Sequence, residues 1–204
     1  MERNRRKKSR GHGCLGFGIV FSIAVIAIIC VLLFSTNALD GLKYKVLSIF
    51  YQQHYTAEVE AAAKEFNVDD DLIYAVIHTE SGFREDVESH AGAIGLMQLM
   101  PDTFTWLQEK LDGEVIYTAD DLKTPAVNIR YGSYYLAYLT ELFGDSSAAI
   151  AAYNAGAANV DKWLADPAYS SDGKTLSDIP YKETREYVDK VMRAWDIYKK
   201  IYEK

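Results

Sequence analysis

Apolar positions along this chain follow two different patterns. Residues 14–34 read CLGFGIVFSIAVIAIICVLLF, a run of 21 positions without a charge. A helix of that length spans roughly 30 Å, the thickness of a bilayer's hydrocarbon core. From residue 56 onward the apolar residues recur three and four apart, with charged and amide side chains between them, which is the pattern of amphipathic helices. In TAEVEAAAKEF, Val59, Ala62, Ala63 and Phe66 share a face, and Thr56 is placed to cap it. Asp69 to Asp71 suit the start of DLIYAVIHTES, whose stripe is Leu72, Ile73, Val76 and Ile77, with Glu80 near its end.

Pro101 opens a helix running through Trp106 to Leu111, and Pro125 opens a long one that Gly144 ends. Asp145 or Ser146 caps the next, which reaches Tyr153; residues 157–165 and about 182–202 complete the set. The stretch 166–180, with Pro167, Gly173 and Pro180, reads as a loop. No period-two run of useful length is present, so little sheet is expected. The fold class is therefore all-α, with an N-terminal transmembrane helix. The divisions are a basic cytoplasmic tail 1–13, an anchor 14–34, a partly helical juxtamembrane connector 35–55, and a compact helical domain 56–204.

Charge sharpens this picture. The chain of 204 residues carries −7 overall, but six of its basic residues (Arg3, Arg5, Arg6, Lys7, Lys8, Arg10) precede the apolar run. That leaves 16 basic and 28 acidic residues in 35–204, a balance of −12. So acidic a domain lacks the basic face that phosphate binding needs, which argues against a nucleic-acid partner. Basic flanks stay on the cytoplasmic side, so 35–204 is expected outside the membrane, on the extracellular side. A cleaved signal peptide would carry a shorter apolar core, about 7–15 residues, and Thr36-Asn37-Ala38 is a weak cleavage match. Both cysteines, Cys14 and Cys30, lie in the apolar run. The outer domain thus has neither disulfides nor thiol chemistry. His12, His54, His78 and His90 show no metal-ligand spacing, so no zinc site is expected.

The candidate chemistry sits in HTESGFREDVESHAGAIGLMQLMPDTF, residues 78–104. Glu80 falls where a helix meets a loop, with Ile77, Phe83, Leu96 and Met97 nearby in sequence. A carboxyl held against apolar groups is harder to ionise, which is what a general acid at neutral pH requires. Most of the 29 acids in such a chain are merely solvated surface charges, so position alone does not single Glu80 out. Gly92 and Gly95 allow tight turns or close backbone approach, and Gln98 suits either an N-acetyl amide or a backbone group. Tyr153 suits either a core or a sugar-binding face, and Asn154 and Gly156 are ordinary helix-ending residues.

In combination these pieces say more. The order Glu80-Ser81, Gly95-Leu96-Met97-Gln98, Ala152-Tyr153-Asn154-Ala155-Gly156, then Ile179-Pro180-Tyr181-Lys182-Glu183-Thr184-Arg185-Glu186-Tyr187-Val188 resembles the catalytic domain of soluble lytic transglycosylases, glycoside hydrolase family 23, which also contains goose-type lysozymes. The resemblance covers about residues 57–200. It implies a mainly helical, lysozyme-like domain with a long groove, no cofactor, and the peptidoglycan glycan strand as partner. The implied reaction is cleavage of the β-1,4 bond between N-acetylmuramic acid and N-acetylglucosamine, leaving a 1,6-anhydromuramic end.

By the same matching, Glu80 is the catalytic glutamate. Ser81, Met97, Gln98, Tyr153, Asn154 and Tyr187 line the groove or hold the glutamate and substrate, while Gly95, Leu96 and Glu183 support the site. The hydrolase alternative needs a further acid to position water. Glu85, Asp86 and Glu88 are the candidates, with solvated loop charges as their ordinary reading. A glycan-binding module without catalysis is the non-enzymatic alternative. A partner in a wall-opening or secretion machine stays open.

Overall fold

The computed structural model describes residues 22, 23, 25–28, 31 and 41–202. It divides into two units, Met1–Val46 and Leu47–Lys204. In the first, residues 22, 23, 25–28, 31 and 41–46 are helical. Most of the predicted anchor at 14–34 lies outside the described residues, as do the whole tail 1–13 and positions 35–40. Among the described residues no helix is long and apolar enough to cross a membrane. The partial helicity expected of the connector is present at 41–50.

The second unit is built from α1 (Thr56–Phe66), α2 (Asp70–Glu80), α3 (Pro101–Leu111), α4 (Pro125–Phe143), α5 (Ser146–Ala155), α6 (Ala157–Ala165) and α7 (Lys182–Tyr202). Local signals explain most of these ends. The Asp69 carboxylate accepts the Asp71 N–H at 3.0 Å, and the acids of the first turn complement the helix dipole. Proline stands at the first position of α3 and α4, where its missing N–H is harmless. Gly144 closes α4 with a left-handed φ of 64°, and Asp145 caps α5 by accepting from the Ala148 N–H at 2.8 Å.

Two details depart from expectation. Tyr55, rather than Thr56, occupies the cap of α1, with φ 56° and no side-chain cap bond, because Thr56 is already within the helix. A short 3-10 helix, Ala119–Lys123, precedes α4; its five residues are too few to show a periodic stripe. Among the described residues there is no strand, only isolated bridges joining Glu88 to Ile94 and Ile94 to Leu99.

The core has two parts. The larger joins α1, α2, α5 and α7 with Leu96 and Met97, and the smaller gathers Ile94, Leu99, Phe104, Leu107, Leu122 and Tyr131. Tyr135 and Tyr153 pack against both. Burying each large apolar side chain contributes about 1.5–3 kcal/mol. α2 is the central element. Tyr74 and Ala75 are buried along with the predicted stripe, so the helix is apolar all round rather than amphipathic. It runs antiparallel to α7. At one end Trp195 and Lys199 reach the Asp69 carboxylate, each at 3.1 Å, and at the other Tyr187 reaches Glu80.

Candidate active site

Glu80 is the last residue of α2, half-buried where that helix gives way to the loop. The Tyr187 hydroxyl, from α7, donates to its Oε1 at 2.7 Å. Its Oε2 has no hydrogen-bond partner among the described residues. Burial pushes the carboxyl up from its ordinary 4.5 to about 7. The bond from Tyr187 acts the other way, since it stabilises the charged form. The hydroxyls of Tyr153 and Tyr187 are themselves raised well above 10, first by burial and then by the charge of Glu80. Both therefore remain neutral donors at physiological pH. The result is a carboxyl that is protonated in a large fraction of molecules at neutral pH, with one oxygen held and the other open to a ligand.

The loop after Glu80 is tied down from several sides. Ser81 Oγ donates to the Leu96 carbonyl at 2.8 Å, and the Tyr153 hydroxyl donates to the Met97 carbonyl at 2.8 Å. The Gln98 side-chain amide donates to the carbonyls of Gly95 and Val87, at 2.8 and 3.1 Å. Gly95 has φ 81°, and a Cβ there would collide with the Leu122 carbonyl and the Asn128 side chain. Only glycine fits that close approach.

The expected site residues separate by burial. Glu80, Tyr153 and Tyr187 converge. Ser81 and Met97 were expected to line the groove or hold the glutamate and substrate; their side chains are 2% and 0% exposed, which removes direct contact with a ligand and leaves them the holding part. Leu96 is likewise buried. Asn154 is exposed at the end of α5 and accepts from the buried Thr184 hydroxyl at 2.8 Å. Glu183 is exposed in the first turn of α7. Glu85, Asp86 and Glu88 are all exposed, and Glu85 accepts from the Tyr55 hydroxyl at 3.0 Å. Among the described residues one carboxylate trio, Asp69, Asp70 and Asp71, is close enough to share a metal. It lies at the opposite end of α2 from Glu80, and Asp69 already serves the helix cap, Trp195 and Lys199.

Sequence reasoning missed Asn128. It is fully buried on α4 and fastens the loop through three bonds. Its Oδ1 accepts the Met97 N–H at 2.7 Å, and its Nδ2 donates to the carbonyls of Ile94 and Leu122 at 2.9 and 2.8 Å. The available signal was an amide beside Ile129 near the start of an otherwise apolar face. One turn further, Gly132 leaves the space that the Met97 side chain fills.

With this geometry in view, comparison with known proteins is informative. The family model described as the transglycosylase SLT domain matches residues 58–175. That span holds Glu80 and the loop but stops short of α7 and Tyr187. The soluble lytic murein transglycosylase of Escherichia coli (strain K12) is 37% identical over 126 residues, which cover 61% of this chain and 19% of that protein. The chain thus spans about a fifth of that relative's length. Membrane-bound lytic murein transglycosylase C of Klebsiella pneumoniae is 28% identical over 221 residues, covering 96% of this chain and 55% of that protein. The X-ray structure of an inactive Glu-to-Gln mutant of the lytic transglycosylase Slt from Pseudomonas aeruginosa aligns with a TM-score of 0.68 at 34% identity, covering 77% of this chain and 26% of that one.

Proposed function

Since the chain belongs to the transglycosylase SLT family, we propose that it is a membrane-anchored lytic transglycosylase of peptidoglycan in which Glu80 acts first as acid and then as base. The observation that carries this reading is the Glu80 carboxyl itself, raised to about 7 and held at one oxygen by Tyr187. A group with that pKa can give up a proton and take one back at neutral pH.

In the first step the Oε2 side of Glu80 protonates the oxygen leaving N-acetylmuramic acid. Positive charge develops at the anomeric carbon, where the substrate's own N-acetyl oxygen and fixed dipoles stabilise it. The ionised Glu80 then takes the proton of the same sugar's C6 hydroxyl, which attacks the anomeric carbon and closes the 1,6-anhydro ring. The nucleophile is already part of the substrate, so its effective concentration is high and no second carboxylate is needed. Tyr187, which favours the ionised form, supports the second half of the cycle. The exposure of Glu85, Asp86 and Glu88 agrees with a single-carboxyl mechanism. Gln98 Oε1 and Asn154 face the substrate in this reading, while Ser81, Leu96, Met97 and Gly95 shape the loop. Glu183 supports the site from the first turn of α7.

The membrane part of the proposal rests on the charge-free run 14–34 behind its basic cluster. Its described apolar side chains, Ile23, Val25, Ile26, Ile28 and Val31, are exposed in the chain alone, as lipid-facing groups would be. The relative named as membrane-bound aligns over nearly the whole chain. In this topology residues 1–13 are cytoplasmic, 35–55 are a spacer, and 56–204 work beside the wall. Carbonate-resistant pelleting, with protease cutting 56–204 only from outside spheroplasts, is the expected behaviour.

Mass analysis of muropeptides released from purified wall tests the chemistry. Anhydro ends are expected from the parent, and Glu80→Gln is expected to bind wall but release nothing. Reducing ends, heavier by one water, would assign hydrolysis instead. Binding without release by the parent would assign a non-catalytic glycan module.

A further inference from the structure

We infer that the helix at 41–50 lies along the outer leaflet of the membrane, with its exposed apolar face among the lipids. This goes beyond the tether already proposed and rests on the anchor at 14–34.

The helix reads GLKYKVLSIF. Leu42, Val46, Ile49 and Phe50 are 47–68% exposed. At 3.6 residues per turn, all four fall within an arc of about 100°. The opposite side, Tyr44, Leu47 and Ser48, is half-buried. The polarity is the reverse of that in α1, where the apolar Val59 and Ala62 are the covered positions. A contiguous apolar face turned outward marks an interaction surface.

Three observations name lipid as the occupant. The first is reach. The charge-free run ends at residue 34, and even a fully extended chain from there to residue 41 covers only about 25 Å. The face is therefore held close to the bilayer whenever the anchor is inserted. The second is charge. The ten residues carry Lys43 and Lys45 and no acid, whereas 35–204 as a whole has a balance of −12. Both lysines are exposed, and the helical period sets one just beyond each edge of the apolar arc. In that position a lysine stem follows the apolar surface while its ammonium group reaches lipid phosphates. The third is size. Four side chains fall well short of the roughly 20–30 residues that each partner supplies to a stable protein interface, so the face is too small for a second copy.

The last turn of this helix is fastened to the catalytic domain. The Tyr51 N–H donates to the Leu47 carbonyl at 2.9 Å, and the Tyr51 carbonyl accepts from the Tyr202 hydroxyl at 3.0 Å. The Gln52 carbonyl accepts from the Tyr198 hydroxyl at 3.2 Å. The Tyr51 ring stacks on His78, with centroids 4.5 Å apart, two residues before Glu80. A helix seated on lipid and tied in this way to α2 and α7 sets how far from the bilayer Glu80 works.

The test uses the full chain with Cys14→Ser and Cys30→Ser, reconstituted in vesicles of phosphatidylglycerol and phosphatidylethanolamine. Single cysteines carry a nitroxide, and its collisions with oxygen, which concentrates in lipid, are compared with those of a water-soluble nickel complex. Labels at Leu42→Cys, Val46→Cys, Ile49→Cys and Phe50→Cys should show an oxygen-to-nickel ratio at least about threefold above that at Tyr44→Cys and Ser48→Cys. Adding Ile49→Glu and Phe50→Glu should return the Val46→Cys label to the aqueous ratio, with cleavage of soluble glycan strands unchanged. A Val46→Cys label that stays in lipid would overturn the assignment of the face. A label at Ile26→Cys separates this inference from the anchor. Lipid at Ile26→Cys with water at all four stripe positions would reject the seated helix and leave the anchor standing, whereas water at Ile26→Cys would remove both. Dipolar broadening between Ile49→Cys labels of two chains would assign the face to a second copy and overturn the lipid reading.

Discussion

Asn128→Ala is the sharpest test of how the catalytic loop is held. The wild-type amide satisfies one N–H, that of Met97, and two carbonyls, those of Ile94 and Leu122, from a fully buried position. Alanine strands the Met97 N–H and the Leu122 carbonyl, while the Ile94 carbonyl keeps the Leu99 N–H at 3.1 Å. Each stranded buried group costs about 1–3 kcal/mol, so the sum for two is roughly 2–6 kcal/mol, towards the lower end if water enters the vacated space. That is a large share of a typical domain stability of about 5–15 kcal/mol, and it corresponds to a fall in Tm on the order of 10 °C. Asn128→Asp should be at least as damaging: it keeps the acceptor for Met97 but sets a carboxylate oxygen against two carbonyls.

The control lies on the same helix. Ser133 is equally buried, and its Oγ is without a partner. Ser133→Ala removes an unsatisfied group and should change stability by less than about 0.5 kcal/mol, or raise it slightly. Urea melts followed at 222 nm give both values. A loss below 1 kcal/mol for Asn128→Ala, or similar losses for the two variants, would refute the reasoning that this amide anchors the loop.

Other outcomes follow from the same geometry. Glu80 has a folded pKa of about 7 against 4.5 unfolded, so the unfolded chain ionises first as pH rises; the parent should lose about 3 kcal/mol between pH 4.5 and 7 and none beyond from this group. Glu80→Gln lacks that loss, and its stability advantage over the parent should grow through the same window; an equal gap at pH 4 and pH 8 would sink the assignment. Tyr187→Phe removes a bond that favours the carboxylate, so the alkaline limb of the activity profile should move up and kcat should fall roughly tenfold, the worth of one charge-assisted hydrogen bond; a downward move of that limb would contradict the geometry. Gly95→Ala meets both a left-handed φ and a collision and should cost about 3 kcal/mol or more, whereas Gly92→Ala, with φ 88° and nothing within 4 Å, should cost about 1–2 kcal/mol; thermal melts of the two compare strain with strain plus clash.

Helix ends were legible because their causes are local. A proline at a first turn, an aspartate before a helix or a glycine after one acts on its immediate neighbours, so Pro101, Pro125, Asp69, Asp145 and Gly144 could be read without knowing what packs where. Thr56 misled because an intrinsically good cap need not be the residue at which the chain turns. Burial is set by distant partners and was less legible. The stripe of α2 was visible, but its burial all round depends on α7, more than a hundred residues away. Asn128 escaped notice for the same reason: its value lies in three backbone groups on two other segments. Tyr187 entered only through the family resemblance, since nothing local connects it with Glu80.

The antiparallel pairing of α2 and α7 explains how one carboxyl can carry the proposed chemistry. An acid at the end of a helix would normally be solvated and ionised at neutral pH, with its charge also opposed by the helix dipole at that end. Here α7 is pinned at Asp69 and again at Glu80, so the far end of α2 cannot swing into water. The neighbouring donors, Tyr153 and Tyr187, are neutral, and burial outweighs the one bond that favours ionisation. Lys190 and Arg193 lie on the same helix as Tyr187, yet burial and the Tyr187 bond alone account for the displaced pKa of Glu80. A cation placed against the carboxyl would have pulled it back into the ordinary range and removed the acid. Keeping only neutral hydroxyls against Glu80 lets burial at the seam of one pair of helices set its affinity for the proton.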